Sequence, residues 1–85
     1  MNGVEQLLEW GYEDVVIFEN PSYEDALIGV SEDNRAIYDY DQMVSWLVAT
    51  WDINEDEAID FIEYNTIRAL PYTANAPIVM HRFYT

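Results

Sequence analysis

Read as apolar and polar positions, the chain falls into short blocks with different periods. In "NGVEQLLEW", Val4, Leu7 and Leu8 recur at helical spacing, and Asn2 and Glu5 stand three apart, the pattern of a capping box. Gly11 supplies a stop. "VVIF", residues 15–18, is an unbroken β-branched and aromatic run that predicts a strand, and "ENPSYED" reads as loop. "ALIGV" and "AIYDY" flank the polar "SEDNR", which predicts a β-hairpin with Glu32, Asp33 and Asn34 at its tip.

Asp39 or Asp41 then caps a helix through "DQMVSWLVATW", with Val44, Leu47, Val48 and Trp51 as its core stripe. Met43 and Trp46 lie beside that stripe, so the helix is either central or presents a second face to a partner. Asn54 and Glu57 repeat the capping-box spacing at the start of a helix that runs to about Ala69 and is stopped by Pro71. "PIVMHRF" reads as a final strand. The order predicts an α+β fold, a small antiparallel sheet (the hairpin plus N- and C-terminal strands) packed against about three helices. At 85 residues this is one domain, 1–85.

Composition changes the picture in two ways. Three Trp, seven Tyr and three Phe give so short a chain enough large side chains for a core without disulfides, and there is no cysteine to form one. A reducing cytoplasm suits such a chain. No apolar run reaches the roughly 20 residues a membrane span requires, and the N-terminus has no basic region of a signal peptide.

The second change is charge. Seventeen acids face three arginines and no lysine, for a net charge of −14. All seventeen acids, with Arg35 alone among the bases, precede Tyr64, so residues 1–63 carry −16 and residues 64–85, with Arg68 and Arg82, carry +2. A field this negative repels phosphate backbones and anionic membranes, so direct nucleic-acid binding is not expected, and basic proteins are the natural partners.

Catalytic chemistry finds little support, and no enzyme is expected. The one histidine, His81, lies in the terminal strand and reads as an edge or interface residue; nothing local ties it to Ser22, Ser31 or Ser45. Carboxylate pairs are abundant only because acids are abundant. No catalytic residue, cofactor or metal is assigned.

One metal pattern competes with that reading. In "DINEDEAIDFIE", Asp52, Asn54, Asp56, Asp60 and Glu63 occupy positions 1, 3, 5, 9 and 12 of an EF-hand calcium loop. Position 6 is Glu57, where the loop's sharp turn calls for glycine, and the same residues form a capped helix without strain. On that helix Asp56, Asp60 and Glu63 make an acidic ridge opposite Ile59, Ile62 and Thr66. Like charges at this spacing cost about 0.2–0.5 kcal/mol per pair. Asp52, Glu55, Asp56, Asp60 and Glu63, with Glu32 and Asp33 on the hairpin tip, are therefore the expected partner-binding surface, which Glu13, Asp14, Glu24 and Asp25 could extend. Arg68 stands near the helix C-terminus, where the dipole favours a cation, and pairing with a neighbouring carboxylate is its structural default.

"ALIGVSEDNRAIYDYDQMVSWL", "EAIDFIEYNTIRALPY" and "APIVM" together resemble a family of small acidic proteins of Gram-positive bacteria, their phages and mobile elements. The resemblance covers about residues 24–80, and "EYNTIRALPY" is its most specific run. It implies no activity and no catalytic residues. It points to a phage or mobile-element setting, where small acidic proteins resemble, as a class, DNA mimics that block CRISPR nucleases or restriction enzymes.

The leading expectation is thus a non-enzymatic acidic inhibitor that occupies the basic nucleic-acid groove of a partner such as a CRISPR effector or restriction enzyme. Alternatives are a calcium module at residues 52–63, acidity as an adaptation to high salt, and an interaction module built on Met43, Trp46 and the acid-free tail "HRFYT". Interfaces enrich such residues, and a homodimer would use this tail.

Overall fold

The computed structural model describes residues 3–83. The chain forms α1 (Gly3–Glu9), β1 (Leu27–Val30), β2 (Ala36–Asp39), α2 (Tyr40–Trp51), α3 (Glu55–Phe61) and β3 (Ile78–Met80). Single turns of 3-10 helix stand at Glu24–Ala26 and Leu70–Tyr72, and a π-helical stretch, Ile62–Ile67, continues α3. The predicted α+β architecture is present: among the described residues, three α-helices and a three-stranded sheet in the order β1-β2-β3.

The sheet is mixed. β1 and β2 pair antiparallel as the predicted hairpin, with a bulge between Leu27 and Gly29. β3 instead pairs parallel to β2, with Ile37 opposite Ile78 and Asp39 opposite Met80. The reason is connectivity: two helices carry the chain from the end of β2 back to its start, and such a crossover delivers the next strand in the same direction. A hairpin pattern is local in sequence and legible; the sense of a strand returning after 38 intervening residues is not.

The N-terminal strand predicted at residues 15–18 does not form. Those residues are neither helical, turned nor bent, yet they belong to no sheet. Their β-branched side chains serve the core instead: Val15, Ile17 and Phe18 pack against it, while Val16 remains exposed.

Local signals explain most element ends. α1 closes in a Schellman arrangement, with Gly11 N–H donating to Leu8 O at 3.1 Å and Tyr12 N–H to Leu7 O at 3.1 Å. Gly11 has φ 86°, the left-handed conformation that glycine adopts without a Cβ penalty. The capping role of Asn2 falls outside the described residues. Gly3 is needed for space: a Cβ there would lie 2.2 Å from Leu27 O.

The hairpin tip is a three-residue loop closed by Ser31 N–H donating to Arg35 O at 2.8 Å, with Asn34 left-handed at φ 61°. Asp39, not Asp41, is the N-cap of α2. Asn54 caps α3 by accepting from Glu57 N–H at 2.8 Å.

The core gathers Leu7, Tyr23, Leu27, Tyr38, Met43, Leu47 and Ile62 between sheet and helices. On α2 the buried positions are Tyr40, Met43, Val44 and Leu47, so the buried stripe is rotated from the expected Val44, Leu47, Val48 and Trp51. Met43 is wholly buried and Trp46 is half-buried against the Tyr23 ring at 5.8 Å, so Met43 gives no partner surface and Trp46 little. Trp51 stands 40% exposed, edge-on to Phe61.

The two fully buried tyrosines satisfy their hydroxyls. Tyr23 Oη and Thr66 Oγ1 lie 2.7 Å apart, and Tyr38 Oη accepts from Phe18 N–H at 3.1 Å. Burial pushes both phenols above their ordinary value, and each of these hydrogen bonds partly offsets the rise.

Candidate functional site: the acidic surface

The seven acids singled out from the sequence, Glu32, Asp33, Asp52, Glu55, Asp56, Asp60 and Glu63, are all exposed. They form two groups. Glu32 and Asp33 lie at the hairpin tip, where β2 begins. Glu63 accepts a hydrogen bond from Tyr40 Oη at 3.0 Å, just past the end of β2. Four strand residues at about 3.3 Å each put roughly 13 Å between those ends.

The tip pair is already partly engaged. Asp33 accepts from Ser31 Oγ and stands 3.9 Å from the Arg35 guanidinium. Arg35 also donates from Nε to Ala76 O at 2.8 Å, which ties the tip to the segment leading into β3.

The α3 group is the coherent one. Asp52 ends α2 in a left-handed conformation (φ 53°), and Glu55, Asp56 and Glu57 fill the first turn of α3, where the helix dipole favours negative charge. Asp60 and Glu63 lie beyond that favourable turn. The opposite side of the helix carries the buried residues Ala58, Ile62 and Thr66, each four positions on from the last.

In an α-helix, steps of four residues drift about 40° around the axis, because the turn is 3.6 residues. The wider π turn through Ile62–Ile67 slows that drift, keeping Thr66 towards Tyr23. Asn65 Nδ2 donates to Phe61 O at 3.2 Å within this widened turn.

This geometry bears directly on the calcium pattern. Residues 55–63 are helical, not looped, so carboxylates that an EF-hand folds around one ion are strung along an axis at about 1.5 Å per residue. Among the described residues, no group of three or more His, Asp or Glu is placed to hold a metal ion.

Between α2 and α3 runs a groove of about 410 Å³, floored by Val44, Val48 and Ile59 and edged by Asp41 and Glu55. Asp41 therefore joins the acidic surface, although its spacing suggested only a cap. Tyr40 closes the same groove. Its hydroxyl is pushed up to about 12, first by burial and then by the hydrogen bond to Glu63 and the negative charge there.

The bases end up elsewhere than expected. Arg68 is exposed and pairs with no carboxylate among the described residues. Arg82 instead meets the buried Asp39. His81 stacks on Tyr40 with ring centroids 4.5 Å apart, and no serine hydroxyl bonds to it among the described residues. The tail after β3 is thus held against the N-terminus of α2, and Phe83 remains exposed.

Compared with known families, characterised proteins and solved structures, the chain has no significant match. Among the described residues no helix is long and apolar enough to cross a membrane.

Proposed function

We propose that this protein is a non-enzymatic inhibitor whose α3 face imitates a run of phosphates and occupies the basic nucleic-acid groove of a bacterial nuclease, of the CRISPR-effector or restriction type. One observation carries the reading: Asp56, Asp60 and Glu63 are exposed at i, i+4 and i+7 along one helical run, Glu55 stands exposed at its start, and no arginine is paired to any of them among the described residues. Asp60 and Glu63 lie beyond the turn where the helix dipole favours acids. Asp60, unlike Glu63 with its bond from Tyr40, carries its repulsion with no hydrogen bond or ion pair to offset it among the described residues. Fixed carboxylates would meet lysines and arginines that normally hold phosphates, giving fast, salt-sensitive association. The protein would act in the cytoplasm of the host cell, where such nucleases work.

The test is inhibition of DNA cleavage by a panel of purified CRISPR effectors and restriction enzymes. Inhibition should compete with DNA, weaken as salt rises, and disappear in the triple variant Asp56→Lys, Asp60→Lys, Glu63→Lys while circular dichroism stays unchanged. Inhibition indifferent both to salt and to these reversals would remove the mimic reading, as would a complete panel without inhibition.

A further inference from the structure

Residues 15–18 have the composition of a strand and no strand partner. From Glu13 to Ser22 the main chain makes no backbone–backbone hydrogen bond among the described residues; Phe18 N–H, donated to Tyr38 Oη, is the single hydrogen bond recorded there. Asp14 and Val16 are exposed while Val15 and Ile17 are half-buried, the alternation of a strand with one face on a core, which ends at Phe18, half-buried against Tyr23 and Tyr38. An unpaired edge of this kind is a template for a second chain.

The segment also borders a cleft of about 510 Å³. Val16, Phe18, Tyr23, Phe61, Thr66 and Leu70 are among the residues that line it. Among the described residues Glu19 is the one charged residue that lines it.

We propose that Val15–Phe18 is a docking edge that takes an extended segment of a partner protein by strand addition, apolar in its middle and basic at its ends. Charge selects this occupant. Glu13 and Asp14 precede the apolar run and Glu19 follows it, so an incoming strand meets carboxylates at both ends. Two copies of this chain pairing antiparallel about the run would set Asp14 against Glu19 twice, and like charges directly opposite are destabilising. Lysine or arginine at the ends of the incoming strand turns the same positions into attractive pairs. Main-chain bonds would supply affinity, and the cleft would take its side chains. This edge is distinct from the α3 face and stands or falls without it.

The probe is a synthetic peptide of alternating valine and threonine with two lysines at each end. Hydrogen exchange followed by NMR should show the Val16 and Ile17 amides slowed about tenfold or more when it is added, since new bonds raise the local opening free energy. Three controls should abolish that protection: the peptide with alternate backbone amides N-methylated, the same peptide with glutamates for lysines, and the protein variant Val16→Pro, whose thermal midpoint reports whether the fold survives. Protection confined to residues 55–63, or undiminished with the N-methylated peptide, overturns the proposal. So does a peptide-free dimer by light scattering with Val16 already protected, which would assign the edge to a second copy.

Discussion

Asp39 divides its two carboxylate oxygens between two tasks. Oδ1 accepts from Asp41 N–H at 3.0 Å and Gln42 N–H at 3.3 Å, closing the first turn of α2, and Oδ2 meets Arg82 beyond β3. Removing an N-cap acid costs about 0.5–2 kcal/mol. Arg82 is half-exposed, so water compensates it and the ion pair adds less than a fully buried one would. Asp39→Ala should therefore lose about 1–2 kcal/mol in urea unfolding, with the thermal midpoint falling roughly 4–8 °C per kcal/mol. Asn caps as well as Asp, so Asp39→Asn should retain most of that stability; an Asn variant as unstable as Ala would show that charge, not capping, dominates. Tyr40 makes a pH prediction. Its folded-state value is raised to about 12 from the ordinary 10, so the unfolded chain releases its proton first. The associated stability is complete below about pH 10 and declines as pH rises from 10 towards 12, with Tyr23 and Tyr38 acting in the same direction. Tyr40→Phe should make the alkaline fall of the unfolding midpoint shallower, read from denaturation curves across that range.

At the scale of elements, what could be read from the sequence was what depends on near neighbours. Capping at Asn54, the Gly11 stop, the hairpin around residues 31–35 and the helices of residues 40–69 rest on spacings of a few residues, and all are present. What escaped depends on distant ones. Residues 15–18 joined neither edge of the sheet, and Val15, Ile17 and Phe18 pack against the core instead. The stripe on α2 turned so that Met43 is wholly buried with Val44 and Leu47, while Val48 is only partly buried at the edge of the core. The π stretch has no period of its own in the sequence, since Thr66 looks well placed on an α-helix too. The acidic surface was legible because exposure is the default for acids. Its division into a hairpin pair and an α3 group was not, because it follows from the length and direction of β2. Asp60 tests whether the α3 face is held against local stability. It lies four residues after Asp56 and three before Glu63, so Asp60→Asn relieves two like-charge contacts and should stabilise by about 0.4–1 kcal/mol at low salt. A destabilised variant would mean that Asp60 has a structural partner.

Over the whole molecule, a net charge of −14 on 85 residues opposes compaction at every pH where the carboxylates are ionised. The screening length falls from about 30 Å at 0.01 M salt to about 8 Å at 0.15 M. Stability against urea should therefore rise across that interval by more than in the triple lysine variant of α3, which loses three negative charges, gains three positive ones and has a net charge of −8. Cooperative unfolding in low-salt buffer would set aside acidity as an adaptation to brine, since the aromatic core alone would then hold the fold. An equal salt response in both proteins would mean that the repulsion lies elsewhere than on α3.

The positions of the three arginines have a practical consequence. With no lysine in the chain, trypsin can cut only after Arg35, Arg68 and Arg82. Arg35 is bonded across to Ala76, Arg68 lies within the continuous helix, and Arg82 is held at Asp39. Every scissile bond thus sits beside ordered structure, and digestion must wait for the chain to open. When reclosing outpaces cleavage, the rate of proteolysis follows the population of the open form. Three fragment series would then time three separate events: loosening of the hairpin tip, melting of the helix end, and release of the final strand.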